Sequence, residues 1–205
     1  MCIRDRHVAS ARGNVKALHH LLLARADPNA RDALGATALH LAAAPLRSCG
    51  GATLLLISHG AHVHATDARG RTPLHAAAAA RAPLRPMRIL LEANADINAR
   101  CTADGWTPLH VLAHCAREAA WTEALRALLV EHGARLDLAD RAGQTAAHLA
   151  AARGRVRLLQ QLVLHGAPLH LPDEAGRTPL DCLALPAPVP PAPAPAPPSA
   201  CLLYT

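Results

Sequence analysis

The feature that most constrains this chain is a tetrapeptide that keeps returning. Thr72-Pro73-Leu74-His75 reappears as Thr107-Pro108-Leu109-His110 and, with small changes, as Thr37-Ala38-Leu39-His40, Thr145-Ala146-Ala147-His148 and Thr178-Pro179-Leu180-Asp181. The threonines lie 35, 35, 38 and 33 residues apart. A period in this range belongs to stacked-repeat architectures, where each unit buries its apolar face only against its neighbours. The 205 residues therefore count units, and composition agrees: 51% are apolar, yet aromatics make up 1% and Phe is absent. Thin layers of helices meeting through Ala and Leu suit those proportions.

Each unit reads Asp-x-x-Gly-x-Thr-Pro-Leu-His-x-Ala-Ala, then a helix, then Leu-Leu-x-x-Gly-Ala. Thr37, Thr72, Thr107, Thr145 and Thr178 are expected as helix N-caps, the hydroxyl accepting from an orphan N–H of the first turn. Pro73, Pro108 and Pro179 follow at the first helical position, where a missing donor costs nothing. The motif Leu points between helices, and the pairs Ala42-Ala43, Ala77-Ala78 and Ala150-Ala151 let neighbouring helices approach closely. Gly60, Gly133 and Gly166 stop the second helix of a unit in the left-handed conformation. Asn94 takes that place in the third unit and Arg25 in the first, where strain of about 1 kcal/mol relative to Gly is expected. The Asp-x-x-Gly segments starting at Asp32, Asp67, Asp140 and Asp173 predict tight hairpins between units. The fourth unit has Thr102 in the Asp place.

This phase divides residues 7–185 into units at about 7–30, 31–65, 66–100, 101–139 and 140–171, with a partial unit at 172–185. Residues 186–205 form a Pro/Ala-rich tail, expected to be disordered and extended as polyproline II. Counting back places a motif histidine at His7, but Arg4, Asp5 and Arg6 match none of the preceding motif positions. Residues 1–6 and 201–205 accordingly read as non-native ends, and the chain as a fragment whose uncapped first unit makes it marginally stable alone. In the fifth unit His148 precedes Leu162 by 14 residues. The equivalent gaps in units two to four, ending at Leu56, Leu90 and Leu129, are 16, 15 and 19, so insertions fall between the two helices. The largest, Ala116 to Thr122, carries Trp121, which is expected to cover local apolar surface.

Over residues 7–185 this pattern resembles the ankyrin-repeat family. The resemblance implies an all-α solenoid of stacked helix-turn-helix units with short β-hairpin fingers, binding protein partners on its concave side. It also implies that His40, His75, His110 and His148 join adjacent repeats through side-chain hydrogen bonds, a pattern that Asp181 breaks.

Other chemistries find little footing. The six cysteines form no Cys-x-x-Cys pair, and His19-His20 and His62-Val63-His64 lack partners at zinc-ligand spacing. His59, His132 and His165 precede the helix-ending Gly, where an imidazole suits the helix dipole. No nucleophile elbow or phosphate-binding loop occurs, so no catalytic residue, cofactor or metal is expected. The net charge of +6 comes almost wholly from arginine, Lys16 being the one lysine, and favours an acidic protein partner over nucleic acid. No apolar run approaches the roughly 18 residues of a membrane span, and no apolar stretch follows Arg4 to Arg6 as in a secretory signal. An intracellular monomer, cytoplasmic or nuclear, is the expectation.

Binding is then placed on the variable positions. These are the fingers, with Leu34 and Ala36, Arg69 and Arg71, Asp104 and Trp106, Arg141 and Gln144, Glu174 and Arg177, and the inner-helix positions Ala79, Ala80, His114, Cys115 and Arg153. Trp106 stands out, because an exposed tryptophan on a rigid scaffold is the usual chemistry of an interface hot spot; the alternative is that it packs against the neighbouring finger. The arginines sketch a mildly basic groove. The expected function is a non-enzymatic scaffold or adaptor. The alternative is the repeat region of a larger signalling enzyme or ubiquitin-ligase substrate adaptor whose effector domain lies outside this sequence.

Overall fold

The computed structural model describes residues 3–44, 50–80, 84–115 and 132–184. Ten helices are found there: α1 (Ile3–Ala11), α2 (Val15–Leu23), α3 (Ala38–Ala43), α4 (Gly51–Ser58), α5 (Pro73–Ala79), α6 (Leu84–Glu92), α7 (Pro108–Cys115), α8 (Ala146–Ala152), α9 (Val156–Leu164) and α10 (Pro179–Ala184). They form two rows. The motif helices α1, α3, α5, α7, α8 and α10 stack in sequence, and α2, α4 and α6 stack in parallel behind them; α2, α4, α6 and α9 each pack on the motif helix of their own unit.

The two rows are built from different residues for a packing reason. Motif helices are buried almost all round, so they are made of small residues: in α5 every residue from Pro73 to Ala78 is buried, and in α8 every residue from Ala146 to Ala151. Outer helices bury one stripe, and there long side chains fill the gap between rows: Leu18 and Leu22 in α2, Met87 and Leu90 in α6, Leu158 and Leu162 in α9. Spacings of three and four place each set on one face. The core so formed is one continuous cluster from Ala9 to Cys182. Thr53 ties the rows together where its hydroxyl donates to the Ala42 carbonyl at 3.1 Å.

Between units the chain turns through fingers that the aspartates organise. Asp67 donates its N–H to the Arg71 carbonyl, its Oδ1 accepts the N–H groups of Arg69 and Arg71, all at 2.9 Å, and its carbonyl closes the turn on Gly70. Asp32, Asp140 and Asp173 repeat the arrangement. The hairpins are single closed turns with one isolated bridge, Arg31 to Thr37, and no longer strand forms among the described residues. Each finger is stitched to the previous one through backbone, from Ala68, Thr102, Arg141 and Glu174 N–H to the carbonyls of Leu34, Arg69, Asp104 and Ala142 at 3.0–3.1 Å.

The fourth finger is one residue longer than the others. There Cys101 donates to the Trp106 carbonyl at 2.9 Å, and Cys101, only 4% exposed, fills the closing place while Thr102 is exposed. This corrects the placing of Thr102. Cys101 brings no carboxylate to gather the tip amides, and the turn widens. At the start of the chain, Arg4 to Arg6 lie within α1, and Arg6 is buried. The interhelix insertions, Trp121 and the Pro/Ala tail lie outside the described residues.

Helix ends follow the expected chemistry: Asn94 and Arg25 sit at φ 61° and 57°, in the left-handed region that Gly60 adopts at 82°. Gly70 carries a second constraint, because a Cβ there would lie 2.5 Å from the Thr102 nitrogen, whereas one on Gly60 would meet nothing within 4 Å. In urea denaturation, Gly60→Ala should cost ~1–2 kcal/mol for its backbone conformation alone. Gly70→Ala should cost at least ~1 kcal/mol more, because it displaces the stitching between fingers. Arg25→Gly should raise stability by ~1 kcal/mol.

Candidate binding surface

The motif histidine is the joint from which the surface is built. In four units the threonine N–H donates to Nδ1 of the histidine three residues on, at 3.1–3.2 Å, and the hydroxyl reaches the same nitrogen at 2.8–3.0 Å. The reverse contact, from the histidine N–H to the threonine hydroxyl, is long: 3.5 Å from His110 to Thr107. The cap therefore rests more on the histidine ring than on the threonine hydroxyl. A backbone N–H can only donate, so Nδ1 is unprotonated and the proton sits on Nε2.

That proton reaches the next unit. Nε2–H of His40, His75, His110 and His148 donates to the carbonyls of Arg71, Trp106, Gln144 and Arg177 at 2.9–3.0 Å, and His7 reaches Ala36 at 3.1 Å. Each acceptor is the residue immediately before the next threonine. Burial pushes the pKa of His40, His75 and His110 below the ordinary histidine value, to about 4 for His75, although the bond to the next carbonyl works the other way. Asp181 keeps half of the device: its carboxylate accepts from the Thr178 N–H at 2.8 Å and hydroxyl at 2.7 Å, which holds it below the usual carboxylate range. It has no second nitrogen to donate onward.

Several residues expected at the finger tips have duties in the frame. Arg71 and Arg177 close on Asp67 and Asp173 of their own fingers at 2.7 and 2.8 Å. Burial opposes the charge on both aspartates, but the arginine contacts hold their pKa values below the usual carboxylate range, to about 2 for Asp173. Gln144 is half-buried and its side-chain amide donates to Asp173 at 3.4 Å. Ala36 is buried. Trp106 is half-buried instead of exposed: its indole N–H donates to Asp140 Oδ2 at 2.9 Å, and its ring lies 4.8 Å from that of His114.

What stands free is narrower. Leu34 (60% exposed), Arg69, Asp104, Arg141 and Glu174 project from successive fingers with exposed side chains. On the inner row Ala79 is half-buried and Ala80 buried, Cys115 is exposed, and the exposed Arg153 lies against the half-buried His114. Sequence reasoning missed a second line of joints. Asn29 accepts from the His62 N–H at 2.7 Å and donates to the Gly60 carbonyl at 3.0 Å, and Asn98 accepts from the Arg135 N–H at 3.0 Å. Their signal is the repeated Asp-x-Asn-Ala at 27–30 and 96–99.

Among the described residues no helix is long and apolar enough to cross a membrane, and no group of three or more His, Cys, Asp or Glu side chains converges as metal ligands. A family model described as ankyrin repeats (3 copies) matches residues 7–101 and again 46–140, and one described as ankyrin repeats (many copies) matches residues 129–182. No curated protein matches the chain.

The joints set a pH limit. In the unfolded chain a histidine titrates near 6.5, while folded His75 is held to about 4. Between those values the unfolded chain binds more protons, so stability is complete above about pH 6.5 and falls as pH drops toward 4. Urea unfolding should register a loss of about 3 kcal/mol from His75 across that window. His75→Ala should flatten part of this slope and, by stranding the Trp106 carbonyl and Thr72 N–H, cost ~2–4 kcal/mol at neutral pH.

Proposed function

Because the chain belongs to the ankyrin-repeat family, we propose that it is a non-enzymatic protein-interaction module holding a partner against its finger tips and motif-helix row. Ankyrin repeats generally serve as protein-interaction modules. One observation carries the reading for this chain. Consecutive fingers are fastened through backbone N–H and carbonyl groups, so Leu34, Arg69, Asp104 and Arg141 keep exposed side chains that the frame does not use. A rigid row of side chains freed from structural work can meet a partner without the entropy cost of ordering loops.

The partner side of the proposal follows from charge. Arg69 and Arg141 lie on either side of Asp104, and Arg153 adds a positive charge on the motif-helix row, which favours a partner segment that is acidic overall. His114 and Arg153 belong to the contact surface. Arg71, Trp106, Gln144 and Arg177 border it while serving the frame.

A photoreactive amino acid at Leu34, Arg69 or Arg141 should crosslink to a protein that excess unmodified chain competes away. The same group at Gln160, exposed on the outer row, should not. Equal labelling from Gln160, or no competed product from the fingers, would overturn the proposal.

A further inference from the structure

Charge is handled differently at one place on the motif-helix row. Arg71 and Arg177 are each closed on an aspartate of their own finger. Arg153 has no such partner among the described residues: its Nη2 lies 2.8 Å from His114 Nε2 and 3.2 Å from Nδ1, so the guanidinium is laid across the imidazole. Arg155 donates to the His114 carbonyl at 2.7 Å. The Trp106 ring lies 4.8 Å from the His114 ring, tilted by 47°. Three separate segments thus converge, namely the finger before α7, the end of α7 and the turn between α8 and α9. Among the described residues, Asp140 holds the Trp106 indole N–H, and Asp104 is exposed on its finger tip.

We propose that Trp106, His114 and Arg153 form a seat for a carboxylate side chain on an acidic segment of the partner protein. The proposal rests on the interaction-module reading and names the chemistry of one contact within it. Arg153 is already oriented by His114, so its outward N–H groups can take a carboxylate with little rotamer entropy left to lose. The Trp106 ring offers apolar cover to the methylenes that carry the carboxylate. Nucleic acid fits less well: among the described residues the seat has one aromatic ring, and Asp104 stands at its edge.

A second property makes the seat measurable. The groups facing His114 among the described residues are Trp106 and Asp104 from the finger and Arg153 and Arg155 from the following unit. Burial, then Arg153 and Arg155, push the His114 pKa down to about 4, with Asp104 opposing. A carboxylate bound at Arg153 adds a negative charge beside the ring, so His114 titrates higher in the complex.

The test uses the full chain and an N-acetylated octaglutamate amide as probe, with the octaglutamine peptide as control, followed by NMR. Octaglutamate should shift the Trp106 indole N–H and the His114 ring together and raise the His114 titration midpoint by about one pH unit. Arg153→Gln, at an exposed position, should weaken octaglutamate about tenfold, and octaglutamine should do nothing. Equal octaglutamate binding by Arg153→Gln, or an unmoved His114 midpoint at saturation, overturns the seat. So does a uridine dodecamer that shifts the same resonances more strongly. If the finger tips crosslink to a competed partner while octaglutamate leaves Trp106 and His114 unmoved, the seat alone falls. Absence of any position-specific crosslink removes the module reading whatever octaglutamate does.

Discussion

The structure depends on a neutral imidazole that accepts from its own helix start and donates to its neighbour's. The two halves constrain each other. The threonine N–H on Nδ1 forces the proton to Nε2, and only a protonated Nε2 can reach a carbonyl 2.9–3.1 Å away in the next unit. Beginning a helix and attaching the following repeat are therefore one event. Because the acceptor is the last finger residue before the next threonine, the bond also fixes how each finger leaves the stack.

The division of labour between backbone and side chain follows from that geometry. Carbonyls of Ala36, Arg71, Trp106, Gln144 and Arg177 do the same work under four kinds of side chain, and backbone pairs join the finger tips. Some side chains in the frame neutralise charge locally, as Asp67 and Asp173 do for Arg71 and Arg177. The cluster of Trp106, His114 and Arg153 is the place where this neutralisation stops, with a guanidinium against an imidazole that burial already keeps neutral.

Most of the frame was legible because it is local. Threonine, proline, the small alanine pairs and the left-handed helix ends act within one turn, and even the strained Arg25 showed itself by occupying a glycine position. The extra finger residue in unit four was hidden by compensation. Leu56 to Asp67, Leu129 to Asp140 and Leu162 to Asp173 each span 11 residues, as does Leu90 to Cys101. One residue fewer between the helices of unit three offsets one more in the finger, and the threonine spacing stays at 35. For Trp106 the sequence left exposure and packing on the neighbouring finger open, because the choice is decided by Asp140, in the next unit, which no local pattern reports. The pairing of Arg71 with Asp67 was readable in principle from their spacing of four.

Within the described stack, motif-helix packing, finger stitching and the histidine bonds all join a repeat to an immediate neighbour. A chain fastened in this way carries mechanical load in series. Tension applied along the stack falls equally on each junction, and the junction with the fewest ties yields first while its neighbours hold. The fourth finger, which lacks the aspartate that gathers its tip amides, is tied to its neighbours instead, through the Thr102 and Ala103 N–H groups on the Arg69 carbonyl and the Trp106 indole on Asp140. Under force the molecule would lengthen by discrete steps, one repeat peeling at a time, and would close again from whichever end stayed folded.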